Sequence, residues 1–348
     1  MKDKPVLAGL LPEQLKELLP AYPAFRSAQI YEWICRGALS FDEMSNLPVS
    51  LRGELATQFE LVSGGLHTEL RDGDGTVKLG LKLADGAIIE TVILNDGKGR
   101  KTACLSTQAG CPIGCVFCKT GMIGFKRNLT AAEIAGQFLH LRRRESGISH
   151  IVIMGMGEPL LNLDELRRAL DFFSDPGGLN ISKRRITLST NGIEKGLIDL
   201  ADNGPDIRLA LSLTTAREEL RKRLMPGSDP LPGLRRALLA WQKKRKRRVT
   251  LEMVLLGGIN TGPADAKACA AFAAGLDAVI NLIPWNPVEN VHFEGSRLRT
   301  PPVKETLEFA KALEGLELKV TRRREKGLGI AGACGQLGTA LAFLPSLI

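Results

Sequence analysis

The hydrophobic positions change their period twice along the chain. Between about residues 10 and 60, apolar residues recur at helical spacing, as in Leu15, Leu18, Leu19 and then Ile30, Trp33, Ile34, with short polar breaks. This predicts a small helical N-terminal domain over 1–60. From 61 to 100 the apolar runs shorten, and turn signals at 72–75 (Asp-Gly-Asp-Gly) and 84–86 (Ala-Asp-Gly) separate them, which reads as a β-hairpin connection. Beyond 101, strand-like runs at 102–106, 150–154, 185–188, 208–213, 249–255, 279–283 and 318–321 alternate with stretches of helical length, such as 131–144 and 232–246. Repeated strand–helix units imply a parallel sheet, so 101–348 is expected to be an α/β core, a partial (β/α) TIM-like barrel. Several of its strands end in small or polar residues, at 155–158, 189–191, 212–215 and 285–286, and ligands bind at that end of such barrels.

An apolar share of 44% over 348 residues is enough for one large core with appendages and excludes a disordered chain. The opening Met-Lys-Asp-Lys-Pro lacks a signal-peptide pattern and no apolar run reaches bilayer length, so a cytoplasmic protein with no membrane partner is expected. The net charge of +9 points to a polyanionic partner, although a solvated basic face on an enzyme with a small substrate gives the same sum. Basic runs at 142–144, 183–185, 243–248 and 322–324 are candidates for phosphate contacts, or equally for solvated helix ends. Aromatic residues make up 5% of the chain, too few for a platform that stacks single strands, so a nucleic-acid partner would be a structured one met through its phosphates.

The cysteines sharpen this picture. Cys111, Cys115 and Cys118 crowd into one glycine-bearing loop after a strand, and in a reducing compartment such crowding reads as metal binding or redox chemistry. Three thiolates leave one iron of a four-iron cluster free, where the amine and carboxylate of an amino acid can chelate. The alternative, structural zinc, needs a fourth ligand, and no histidine or cysteine follows before His140. Cys35 and Cys269 lie in helical patterns and read as buried apolar residues, whereas Cys104 and Cys334 read alone are either core or functional. Glu90 shares a strand face with Ile88 and Val92, where a carboxylate with a raised pKa would suit a general base; the alternative is a charge guarding an edge strand.

The spacing Cys-x-x-x-Cys-x-x-Cys, with an aromatic residue before the last cysteine, resembles the radical S-adenosylmethionine (SAM) signature. Around it, Thr107-Gln-Ala-Gly-Cys111, Met154-Gly-Met-Gly-Glu-Pro-Leu-Leu-Asn162, Ser182-Lys-Arg-Arg-Ile-Thr-Leu-Ser-Thr190 and Ala333-Cys-Gly-Gln-Leu337 resemble the RlmN/Cfr family of RNA methyltransferases. The segments 25–33 and 40–48 match as well, so the resemblance covers nearly the whole chain. It implies a radical SAM barrel with an RNA-binding helical domain, one [4Fe-4S] cluster on Cys111, Cys115 and Cys118, and SAM contacts at Gly157, Glu158, Ser189, Ser212, Leu213, Thr214 and Asn286. It further implies two SAM per turnover, an electron donor such as flavodoxin or ferredoxin, and a monomer.

The implied reaction is methylation of an adenosine carbon, C2 first and C8 as the alternative, in 23S ribosomal RNA or transfer RNA. These carbons are electron-poor and cannot attack the SAM methyl group as an amine would. In the family, one SAM methylates a cysteine matching Cys334, and a radical from the second SAM activates that methyl group for addition to the base. A proton acceptor matching Glu90 and a thiol matching Cys104 then resolve the adduct, with a transient Cys104–Cys334 disulfide. Two departures stand out: Thr214 replaces a common histidine, and the acidic residues usual before the carrier cysteine are absent from 327–334. The competing readings are a radical SAM enzyme acting on another RNA or a small molecule, and a zinc-dependent RNA-binding protein.

Overall fold

Alternating burial along short β-rich runs builds the sheet. In Ile148–Ile153, for example, Ile148, Ile151 and Ile153 are buried, while Ser149 and His150 are half-buried. The computed structural model describes residues 4–322 and 326–338. Ten strands join one sheet in chain order: β1 (Gly65–Arg71), β2 (Val77–Lys82), β3 (Ile88–Asn95), β4 (Lys101–Cys104), β5 (Ile148–Ile153), β6 (Ile186–Thr190), β7 (Arg208–Ser212), β8 (Val249–Leu255), β9 (Ala278–Pro284) and β10 (Val320–Arg322). From β4 to β10 every pairing is parallel, and all seven strands expected beyond 101 are present. Helices such as Ala131–Arg144, Leu163–Ser174 and Leu231–Arg245 lie between them, so this part is a partial (β/α) barrel.

Ala131–Arg144 opens on a capping box, in which Thr130 Oγ1 accepts from Glu133 N at 3.2 Å and Glu133 Oε2 accepts from Thr130 N at 2.9 Å. The N-terminal helices Pro12–Leu18, Ala24–Arg36 and Val49–Gln58 bury Leu15, Leu19, Ile30, Ile34 and Leu55 in a core continuous with that of the barrel. Tyr31 ties this region to the end of Leu163–Ser174, donating to Asp175 Oδ2 at 2.7 Å and meeting Phe172 edge-on at 6.1 Å. Cys35 and Cys269 are buried, as their helical settings imply.

The segment 61–100 does more than connect. Its strands β1, β2 and β3 run antiparallel and join the barrel sheet through β3 and β4, with Val92 opposite Cys104. Glu90 therefore sits in an interior strand, which removes the edge-guarding reading of its charge. Six basic residues in the runs are held by acidic neighbours: Arg143 by Glu43, Arg144 by Glu69, Lys183 by Asp171, Lys244 by Asp202, Arg247 by Asp206 and Arg248 by Asp277. Apart from the half-buried Arg144–Glu69 pair these are at or near the surface, where an ion pair is worth about 0–1 kcal/mol. Of the run 322–324, only Arg322 lies within the described residues. Among the described residues no helix is long and apolar enough to cross a membrane.

Candidate active site

The cluster loop leaves the barrel just beyond β4. Gly110 makes its first bend at φ +83°, and a side chain there would strike Gly124 O at 1.9 Å, so only glycine lets the strands 108–110 and 125–128 cross this closely. The loop then buries Ile113 and Phe117 in a separate apolar core with Leu220, Leu224, Met225 and Trp285. Trp285 Nε1 donates to Phe117 O at 2.9 Å, and Val116 N donates to Leu224 O at 3.0 Å. These contacts turn Cys111, Cys115 and Cys118 onto the wall of a cleft with an empty volume of about 1000 Å³, open solvent at its mouth included.

Electrostatics at the three thiols suit a cation-rich occupant. Burial pushes Cys111 up to about 12, and burial also raises Cys115 and Cys118. The neighbouring thiolates of Cys118 and Cys111 add to the shift at Cys115. Deprotonating this trio requires compensating positive charge, which the iron of a cluster brings. Among the described residues no three His, Cys, Asp or Glu side chains converge on a single-ion site. The thiols instead line a shared space, the arrangement that a four-iron cube needs.

Four of the expected SAM positions, Gly157, Ser189, Ser212 and Asn286, line the same cleft. Ser189 Oγ and Ser212 Oγ lie 3.2 Å apart at the ends of β6 and β7. Asn286 donates through Nδ2 to Cys334 O at 2.9 Å, while its buried Oδ1 has no partner among the described residues and is available to a ligand donor. Gly157 takes φ +106°, and a side chain there would meet Gln108 at 2.6 Å. The residues present thus fit a cluster with a SAM molecule beside it.

Glu158, Leu213 and Thr214 do not line the cleft. Glu158 is buried, and its carboxylate accepts from Thr190 Oγ1 at 2.7 Å, Asn191 N at 2.7 Å and Leu160 N at 3.0 Å, pinning the end of β6. Burial raises its pKa, and these donors work against that rise. Leu213 belongs to the core. Thr214 adopts φ +57°, its amide donates to Glu252 O at 3.0 Å, and its buried hydroxyl has no partner among the described residues.

A second, smaller cavity adjoins the first, and both Cys104 and Cys334 line it; Cys334 lines the cluster cleft as well. Glu90 lines neither cavity. Its carboxylate meets the Lys78 ammonium at 3.3 Å, with both side chains buried, and accepts from Gly338 N at 2.5 Å. It therefore faces a cation and an amide, not the purely apolar wall its strand pattern suggests.

Sequence reasoning missed three charged residues. Lys78 interrupts an apolar run on β2 and reaches Ala331 O at 3.1 Å. Glu252, a lone carboxylate within β8, lines the cleft and accepts from Asn281 Nδ2 at 2.6 Å. Arg221, fully buried, donates to the carbonyls of Asn191, Ser212 and Leu213 and so ties β6 to β7 beneath Cys115. Burial pulls Arg221 down to about 10, so it remains a cation at neutral pH. The available signal was the same for Lys78 and Glu252, a charge inside an apolar strand; Arg221, in the run Glu-Glu-Leu-Arg-Lys-Arg, reads like a surface residue.

Three thiols on a loop beyond the first parallel strand, facing a cleft at the strand ends of a partial barrel, define a radical SAM enzyme, and residues 105–266 match the radical SAM superfamily. A Treponema denticola protein named "Probable dual-specificity RNA methyltransferase RlmN" is 48% identical over 343 residues, covering 98% of this chain and 97% of the relative. A Nitratidesulfovibrio vulgaris protein named "Dual-specificity RNA methyltransferase RlmN" is 40% identical over 348 residues, covering 95% and 94%. The crystal structure of a radical SAM methyltransferase from Sphaerobacter thermophilus matches with a TM-score of 0.91 at 36% identity, covering 96% of this chain and 99% of that one. This chain belongs to the RlmN family of RNA methyltransferases.

Proposed function

We propose that this enzyme methylates an adenosine carbon, C2 in the first instance, in ribosomal or transfer RNA, with Cys334 as methyl carrier, Cys104 as resolving thiol and Glu90 as proton acceptor. The supporting observation is that Cys334 lines both the cluster cleft and the cavity of Cys104. A sulfur at that junction can receive a methyl group from the cleft side and meet a second thiol on the other. When bound, the cluster and SAM supply a methyl donor and a hydrogen-abstracting radical, two SAM being used per turnover and the electron coming from a flavodoxin or ferredoxin.

The protein's own part is geometric. Cys334 holds the methyl group at the cleft wall and forms a covalent link to the base through it. Glu90 takes the proton released from the base carbon, and its contact with Gly338 N sets it at the carrier segment. The radical adduct would give up one electron to the oxidised redox centre of the cleft, and the Cys104 thiolate attacks the Cys334 sulfur: the disulfide forms as the sulfur–methylene bond breaks, a proton taken up on the methylene carbon completes the methyl group, and two electrons from an external thiol pair restore both cysteines. The helical region 1–60 and the weakly paired basic residues provide the RNA-facing surface, and the enzyme acts as a monomer.

The test combines two variants with nucleoside mass spectrometry of ribosomal and transfer RNA. Cys334→Ala is expected to abolish methyl transfer with iron content unchanged, and Cys104→Ala to accumulate a protein–RNA crosslink. Full activity in Cys334→Ala sinks the carrier reading. A 2-methyladenosine or 8-methyladenosine peak identifies the carbon.

A further inference from the structure

We propose that Asp72 and Asp74, in the turn between β1 and β2, are positioning residues that seat the Cys334 loop by gripping its backbone. This rests on the reading of Cys334 as carrier. The loop is anchored differently on its two sides. After Cys334 it is tied to the cluster segment and the region beyond β9: Lys119 N donates to Gly335 O at 2.7 Å, Thr120 Oγ1 to Leu337 O at 2.7 Å and Gln336 Nε2 to Pro287 O at 2.8 Å. Before Cys334 the hairpin does the holding. Gly329 N donates to Asp72 Oδ2 at 3.0 Å, Gly327 N donates to Asp74 Oδ2 at 3.1 Å, and Lys326 Nζ lies 3.9 Å from Asp74. Lys78, on the strand that follows the turn, donates to Ala331 O.

All three hydrogen bonds from the hairpin go to main-chain atoms, which explains why the loop can consist of small residues. Its own sequence, Gly-Leu-Gly-Ile-Ala-Gly-Ala from 327 to 333, has no acidic group to fold it locally. Gly327 takes φ +72°, which glycine tolerates, whereas Ala331 takes φ +48°, which an alanine rarely adopts, so this backbone has to be held from outside. Two carboxylates from the hairpin supply acceptors that the loop lacks. A carboxylate accepting from a backbone amide is among the stronger hydrogen bonds available to a loop.

The seat is tested on the cluster-reconstituted full chain with Cys334 unmethylated, verified by peptide mass. The alkylation rates of Cys334 and of Cys269 by iodoacetamide are measured, Cys269 being a fully buried thiol on the far helix Pro263–Ala273. Losing two such bonds in Asp72→Ala/Asp74→Ala is expected to raise the Cys334-to-Cys269 rate ratio about tenfold or more. Asp72→Asn/Asp74→Asn keeps an acceptor at each position but loses the charge, and is expected to raise the ratio clearly less than the alanine pair, by about threefold at most. A ratio that stays level or falls in the alanine variant overturns the proposal, general unfolding included, since that exposes both thiols. Equal acceleration in both variants also overturns it, because the asparagines retain the acceptors. None of these readouts depends on methyl transfer, so failure of the seat is distinct from failure of the carrier reading, which Cys334→Ala decides.

Discussion

The two cysteine-bearing loops are built by opposite means. The cluster loop is fixed by its side chains: Ile113 and Phe117 sink into an apolar core against Leu224 and Trp285, and its thiols are carried on that packed base. The segment leading into Cys334 is fixed by its main chain, with two amides and a carbonyl held by carboxylates and an ammonium. A ligand platform for a cluster has to be rigid, and close packing gives rigidity. A carrier sulfur serving two cavities has to sit at a boundary, and hydrogen bonds define such a position without filling the space around it.

This contrast orders the expected responses to mutation. Cys115→Ala should have the largest effect, removing both bound iron and methylation; iron analysis of anaerobically purified enzyme checks it, and retained iron would break the assignment of the triad. Leu224→Ala opens a cavity beneath the cluster loop, and about 2–5 kcal/mol of stability should be lost together with faster iron release to a chelator. Thermal unfolding of the loaded enzyme measures this, and a loss below about 1 kcal/mol would contradict side-chain anchoring. Leu328→Ala, at a half-exposed position of the carrier loop, should change stability by no more than about 0.5 kcal/mol and leave methylation intact. A loss of more than tenfold in rate there would mean that the loop's side chains matter after all.

The same contrast sets how much was legible beforehand. The strands, the helix over 131–144 and the cluster loop are written in local patterns of apolar period and cysteine spacing, and they stand where those patterns imply. Cys334 was found through its neighbours in the Ala-Cys-Gly-Gln-Leu motif. What could not be read depends on strand register. Lys78 meets Glu90 because β2 pairs with β3 with Gly80 opposite Glu90, which sets the two charges diagonally on one face. Arg221 escaped notice because its helix carries Lys222 and Arg223 beside it, and only the turn of the chain beneath β6 and β7 decides which of the three is buried. The joining of 61–100 to the barrel sheet was hidden for a similar reason: short alternating strands do not reveal their partners.

The grip of Asp74 on Gly327 spans 253 positions of the chain. During synthesis the cluster thiols and most of the barrel are therefore made while the carrier segment is still inside the ribosome. Without that segment the cleft lacks the part of its wall that Cys334, Gly335 and Leu337 form. The seat of the carrier loop is thus a late, long-range closure, formed only once the hairpin and the last described residues have both been made.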